Sequence, residues 1–190
     1  MVAEVRNIVS NRIITRSAWI SAAVLIAAGV LLHFAFEASG GNTLVGAFTP
    51  VNESIWEHLK LILFPGVLIS AIQYAVYGRK EPGFIAARGA AILIGMLIIV
   101  VGYYTYSGIL GRDFAAGNIA LFVLAALLTE SLTIFLLRVP ALQSENTAIG
   151  AILFLTIIII IFFYFTFHPP MLEIFRDPVS EGFGIETFLP

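Results

Sequence analysis

The sequence predicts an all-α protein, a polytopic bundle of five membrane-spanning helices. Apolar residues make up 59% of the 190 residues and charged residues only 12%, whereas an average soluble domain has about 25% charged residues. The apolar residues are concentrated in five runs, each close to or above the roughly 20 residues that a helix needs to cross a bilayer. We expect residues 1–190 to form a single membrane domain.

The N-terminal part is predicted to begin on the membrane surface and then to enter the bilayer. Apolar residues recur at helical spacing in residues 1–16, with arginines on the other side, which is typical of an interfacial amphipathic segment. The apolar run over residues 17–37 exceeds the roughly 7–15 residues of a signal-peptide core, so we expect a retained helix.

The later spans are delimited by capping and helix-breaking residues. Asn52 is a suitable N-cap for the second span, and Glu53 is favourable in a first helical turn. His168 precedes two prolines, which favours the end of the fifth span there, because a residue before proline avoids the α-helical region. The second to fifth spans are expected over residues 53–77, 84–106, 118–138 and 147–167.

The basic residues indicate an orientation with the N-terminus inside and the C-terminus outside. Cytoplasmic loops carry an excess of Lys and Arg, and only Arg112 and Arg176 lie in loops on the predicted outer side. We expect a multi-pass protein of the plasma membrane, with the lipid bilayer as its partner. The basic residues on the predicted inner side are Arg6, Arg12, Arg16, Arg79, Lys80, Arg88 and Arg138.

Charge and composition also exclude some function classes. The net charge is −2 and no basic tract is present, which argues against a nucleic-acid partner. The chain has no cysteine, so disulfides, thiolate nucleophiles and cysteine metal sites are excluded.

Polar residues are concentrated at the predicted outer end of the bundle. All three histidines, His33, His58 and His168, fall there, on three different spans. Histidine and carboxylate are ordinary ligands of zinc, and bound zinc lowers the pKa of its water to about 7. We interpret the histidines as ligands of zinc or another divalent metal; alternatively, these polar groups collect at the interface without any chemistry. The candidate catalytic residues are Glu57, Ser54 and Glu37.

Lys60 and Glu130 lie within the apolar part of the second and fourth spans. An unpaired charge would be costly at that depth, so their long side chains are expected to meet inside the bundle. Such a pair would be a proton or ion relay, or a purely structural ion pair. Alternatively, Lys60 pairs with Glu53 or Glu57, which share its face of the second helix.

The C-terminal tail, residues 168–190, contains more apolar residues than a solvated linker would. Asp177-Pro178 and Gly182-Phe183-Gly184 supply turns within it. We expect the tail to fold back over the outer end, either as a lid that excludes water or as an anchor that seals the bundle.

A long motif opens the second span, Pro50-Val51-Asn52-Glu53-Ser54-Ile55-Trp56-Glu57-His58-Leu59-Lys60-Leu61. Together with His33-Phe34 and the segment Phe175-Arg176-Asp177-Pro178, it resembles a family of small prokaryotic integral membrane proteins whose function is undefined. The likeness covers most of the chain. It implies no activity, only that the outer cluster, including Asn52, Glu53, Trp56 and Asp177, is the characteristic site of the family.

A second, shorter likeness concerns Ser54-x-x-x-His58. It is similar to the Ser-x-x-x-His that the progestin/adiponectin receptor and alkaline ceramidase group carries at a zinc site. The chain departs from that group, because it lacks a His-x-x-x-His on a late helix and is predicted to have five spans rather than seven. His33 and His168 would have to replace that pair, so the likeness implies a reaction type only.

Three functions are compatible with these observations. The first is a metal-dependent hydrolase that acts on a lipid or an amide at the outer leaflet. The second is an ion- or proton-coupled transporter that uses Lys60 and Glu130. The third is a non-catalytic scaffold or binding protein, whose third helix offers small residues for close approach of a partner helix.

Overall fold

The computed structural model describes residues 2–185, with side chains from Arg12 onward. The described residues form α-helices and short 3-10 turns, and this part of the chain contains no β-strand. The all-α class is confirmed. The helices are α1 (Val2–Ala38), α2 (Thr43–Gly46), α3 (Ile55–His58), α4 (Lys60–Val76), α5 (Phe84–Leu110), α6 (Ala115–Leu136) and α7 (Glu145–Phe167).

Five helical segments are long and apolar enough to cross a membrane, as the sequence predicts. The second segment comprises α3 and α4, which are separated at Leu59. The five segments are Arg12–Ala38, Ile55–Val76, Phe84–Leu110, Ala115–Leu136 and Glu145–Phe167.

Several helix ends differ from the sequence-based expectation, and local structure explains two of them. The second span begins at Ile55 rather than at Glu53, because Ser54 is the N-cap and its Oγ accepts the N–H of Glu57 at 3.4 Å. The Asn52 side chain accepts instead from the N–H of Ser54, in a turn before the helix. The third span continues to Leu110, because Gly111 supplies the left-handed residue that ends it, with φ +70°.

Four of the long helices form a closed ring, and the fifth packs outside it. α1 packs against α4 and α6, and α5 packs against the same two helices, so the core lies between all four. α7 contacts α5 from outside the ring. Gly89 favours this close contact, because Leu155 Cδ1 of α7 lies only 3.2 Å from the position that a Cβ would take. The fully buried core residues of the ring include Leu25, Ile62, Leu63, Ile92, Ala125 and Ala126.

A buried ion pair links α5 to α6 at the end of the ring opposite the histidines. Arg88 of α5 donates from Nη1 to Glu130 Oε2 of α6 at 2.7 Å, and both residues are 1% exposed. The Arg88 Nε also donates to Ser70 Oγ of α4 at 2.8 Å. The expected contact between Lys60 and Glu130 is not formed, because Arg88 is the partner of Glu130. Arg88 and Glu130 neutralise each other, so neither charge is unpaired in the apolar interior.

α1 is tied to the same end of the ring by neutral polar groups. Gln73 of α4 donates from Nε2 to Ser21 Oγ at 2.8 Å and to Ser17 Oγ at 3.2 Å. Tyr77 follows α4, and burial raises the pKa of its phenol above the ordinary value.

The close packing of α5 against α6 gives a stability prediction. A Cβ at Gly95 would overlap Thr129 Oγ1, and Thr129 is fully buried, so Gly95→Ala should destabilise the protein by about 1–3 kcal/mol. Gly108→Ala is the control in the same helix, because no atom lies within 4 Å of the position that its methyl group would take, and alanine favours helices. Thermal unfolding in detergent measures both. Equal losses of Tm in the two variants would contradict the described packing.

Candidate functional site

The loop between α1 and α3 is held by the side chain of Lys60. Its ammonium is fully buried and donates three hydrogen bonds: to the carbonyl of Gly46 at 2.8 Å, the carbonyl of Thr49 at 3.1 Å and Glu57 Oε2 at 2.6 Å. A lysine ammonium has three N–H donors, so its hydrogen-bonding capacity is complete. Glu57 Oε2 also accepts the N–H of Val51 at 3.1 Å, which fixes the loop just before Glu53.

Of the three predicted catalytic residues, Glu57 and Ser54 have structural roles and Glu37 lies elsewhere. The Glu57 carboxylate is buried in the Lys60 pair, so it is not oriented as a base toward the histidines. Ser54 is 1% exposed and caps α3. Glu37 is exposed near the end of α1 and lies outside the group of ligand atoms described next.

Two of the predicted metal ligands come together with a third residue. His33 lies near the end of α1, His58 at the end of α3, and Glu53 in the loop between them. One ligand atom from each lies within 4.8 Å of the other two. His58 Nε2 is 3.4 Å from Glu53 Oε2, and His33 Nε2 is 3.9 Å from Glu53 Oε1. We call His33, Glu53 and His58 the histidine group.

The orientation of His58 leaves one ring nitrogen for a ligand. Its Nδ1 lies 2.9 Å from the carbonyl oxygen of Ser54. A carbonyl only accepts, so Nδ1 carries the proton and, in the neutral ring, Nε2 has a free lone pair. Metal-binding histidines commonly donate their second N–H to a carbonyl in this way. The Ser54 carbonyl therefore presents His58 Nε2 toward Glu53.

His168 and Trp56 lie apart from the histidine group. His168 follows α7 and its ring is 5.2 Å from that of Tyr164, so the expected three-histidine site is replaced by two histidines and a carboxylate. Trp56 stacks on Phe162 with ring centroids 4.2 Å apart, which joins α3 to α7.

The described part of the tail folds back over the same end of the bundle. Phe175 is buried against Trp56, and the Asn52 side chain donates to the carbonyl of Gly184 at 3.0 Å. Asp177 is buried and shapes the turn, since its carboxylate accepts from the N–H of Val179 and from the hydroxyl of Ser180. Residues 186–190 of the predicted lid or anchor lie outside the described residues.

The histidine group lines a cavity of about 430 Å³, a size typical of small-molecule sites. The cavity extends between α1, α5 and α6, and Pro178 and Val179 of the tail form part of its wall. Asp113 of the loop between α5 and α6 lines it too. The sequence contains only a weak signal for Asp113, a carboxylate in a predicted outer loop, because spacing does not tell which loops meet.

The Lys60–Glu57 pair gives a second stability prediction. Lys60→Met leaves the Glu57 carboxylate buried without a counter-charge, which should destabilise the protein by about 3–5 kcal/mol. The double variant Lys60→Met/Glu57→Gln removes both charges and should recover part of that loss. Thermal unfolding in detergent compares them, with Lys80→Met as control, because Lys80 is exposed and is the only other lysine. If single and double variants had the same Tm, the two charges would not act as a pair.

Comparison with known proteins places the chain in an uncharacterised family. No curated protein and no solved structure matches it. The profile of a family of unknown function, DUF6512, matches residues 8–185, which is nearly the whole chain. The expectation of a family without a defined function is thereby confirmed. The chain belongs to the DUF6512 family.

Proposed function

We propose that this chain is a multi-pass membrane protein that binds zinc or a similar divalent metal through His33, Glu53 and His58 and hydrolyses a lipid or an amide there. The observation that carries the proposal is the histidine group itself, with its ligand atoms within 4.8 Å of one another beside a cavity. We further propose that this end of the bundle faces outward from the plasma membrane, which rests on the distribution of Lys and Arg.

The residues of the histidine group fit a catalytic metal site. Two imidazoles and one carboxylate are a donor set of hydrolytic zinc sites, which leave a fourth position for water or substrate. The Ser54 carbonyl supports the fit, because it accepts the N–H of His58 Nδ1 and leaves Nε2 free to bind a metal. Glu53 is exposed, and its carboxylate is not committed to a buried ion pair.

The chain supplies the surroundings that hydrolysis needs. A divalent metal at such a site polarises a carbonyl oxygen and lowers the pKa of water. The apolar walls of the cavity would hold the substrate chain against the histidine group, and the tail residues Pro178 and Val179 limit access of solvent from one side. Ser54-x-x-x-His58 supports the same reaction type through His58, while Ser54 contributes its carbonyl and its cap rather than a nucleophile.

Elemental analysis of detergent-purified protein tests the metal site. We expect about one equivalent of zinc or another transition metal in the wild type, and loss of most of it in His58→Ala and in His33→Ala. His168→Ala is the matched control, because this third histidine lies at the same end of the bundle but outside the histidine group.

Two results would count against the metal site. Wild-type protein that carries no metal, even after incubation with zinc and removal of the excess, would reassign the histidines to ion pairs with Glu53. Equal metal loss in His168→Ala and His58→Ala would show that the ligands are not those of the histidine group.

A further inference from the structure

We propose that Asp113 is a substrate-binding residue of the cavity and that its ligand is a membrane amphiphile whose headgroup donates hydrogen bonds, as an amine or amide does. The inference rests on the proposed function for the chemistry at the histidine group. It adds the class of substrate and a residue that recognises it.

The inner walls of the cavity are apolar. Gly29 of α1 faces the ring of Phe122 of α6, which lies where a Cβ of residue 29 would be. Leu61 and Ile99 line the same space from α4 and α5. These walls offer no polar partner to a ligand, so the part of the ligand that lies between the helices is hydrocarbon.

The cavity also borders the outer surface of the membrane-spanning segments. Val30, Phe34 and Ile119 line it, yet they are 49%, 58% and 64% exposed. All three lie within apolar spans, on α1 and α6, where an exposed side chain faces the hydrocarbon of a bilayer. An acyl or alkyl chain can therefore enter from the bilayer between α1 and α6, which favours a membrane amphiphile over a water-soluble ligand.

The ionisable side chains that line the cavity favour a headgroup with hydrogen-bond donors. They are His33, Glu53, His58, Tyr103 and Asp113, and the described lining residues include no lysine or arginine. Carboxylates accept hydrogen bonds and attract cations, whereas phosphate headgroups are ordinarily bound by Arg or Lys. A headgroup with N–H or O–H groups thus complements this lining better than a phosphate does.

Asp113 is positioned for that role by a short hydrogen-bonded chain. Asn118 of α6 donates from Nδ2 to Asp113 Oδ2 at 3.2 Å, and Tyr106 of α5 donates its hydroxyl to Asn118 Oδ1. Asp113 is exposed, and among the described residues the hydrogen bond to its carboxylate is made at Oδ2. Tyr106 and Asn118 therefore orient one carboxylate oxygen, and the other is left to accept from a headgroup.

Photoaffinity labelling of the full-length protein in nanodiscs tests the proposal. The probe is a dodecylamine derivative with a diazirine near the end of its chain, and mass spectrometry locates the label. We expect labelling of the α6 segment that contains Leu121 and Phe122. On chelated protein, dodecylamine and dodecanamide should compete, dodecyl phosphate should compete about tenfold less well, and butylamine, which lacks the chain, should compete weakly.

Variants and chelation separate this inference from the metal site. Asp113→Asn should reduce the preference for amine over phosphate by about threefold or more, since it removes one of the two carboxylate charges. Glu37→Gln is the control, because Glu37 is an exposed carboxylate at the same end of α1 that does not line the cavity. Each competition is run on protein as purified and after dialysis against a chelator.

The outcomes are distinct. Equal competition by amine and phosphate in chelated wild type, an unchanged preference in Asp113→Asn, or label found only outside the cavity would each overturn the inference. If the preference for amine over phosphate persists after chelation and the purified protein holds no metal, the result supports the amphiphile site and contradicts the proposed hydrolysis.

Discussion

The buried ammonium of Lys60 determines the shape of the site. A lysine inside an apolar bundle must be surrounded by acceptors, and here they are the carbonyls of Gly46 and Thr49 and the carboxylate of Glu57. These hydrogen bonds hold the loop against α4. The loop residues that follow lie beside the end of α1, so that Glu53 is close to His33 and His58. The candidate metal ligands meet because the loop that carries Glu53 is hydrogen-bonded to Lys60, whose charge Glu57 of α3 neutralises.

The requirement that a buried charge has a partner also separates structural from functional polar groups elsewhere in the molecule. Arg88 and Glu130 satisfy each other at one end of the ring, as Lys60 and Glu57 do near the other. These four charges are nearly inaccessible and their main hydrogen bonds are internal. The histidine group and Asp113 differ, because they line the cavity and are partly or largely exposed. Ligand chemistry is expected where polar side chains can be reached by a ligand, and that places it around the cavity.

Hydropathy was sufficient to predict the helices, because an apolar run long enough to cross a bilayer has few alternatives to a helix. Hydropathy also predicted that His33 and His58 lie at a similar depth in the membrane. However, a single sequence gives neither the rotation of each helix about its axis nor the order of the helices around the ring. His168 has a similar depth but follows α7, which packs outside the ring.

The choice of partners was the least predictable part of the site. Arg88 follows a basic loop, and its pairing with Glu130 depends on α5 and α6 being neighbours in the ring. Glu53 would share a face with Glu57 if the helix began there, but the Asn52 turn and the Ser54 cap leave it in the loop and direct it to the histidines. Asp113 lines the cavity because the loop between α5 and α6 returns to the end of α1, a contact across the fold that has no local sequence signal.

X-ray absorption spectroscopy at the zinc edge, on zinc-reconstituted protein, tests the metal centre most directly. The described geometry leads us to expect a shell of nitrogen and oxygen at about 2.0–2.2 Å with the scattering of two imidazoles. In His58→Ala the signal should fall to one imidazole, and in His168→Ala it should be unchanged. A shell of oxygen alone, or a spectrum that His58→Ala does not alter, would contradict a site built from His33, Glu53 and His58.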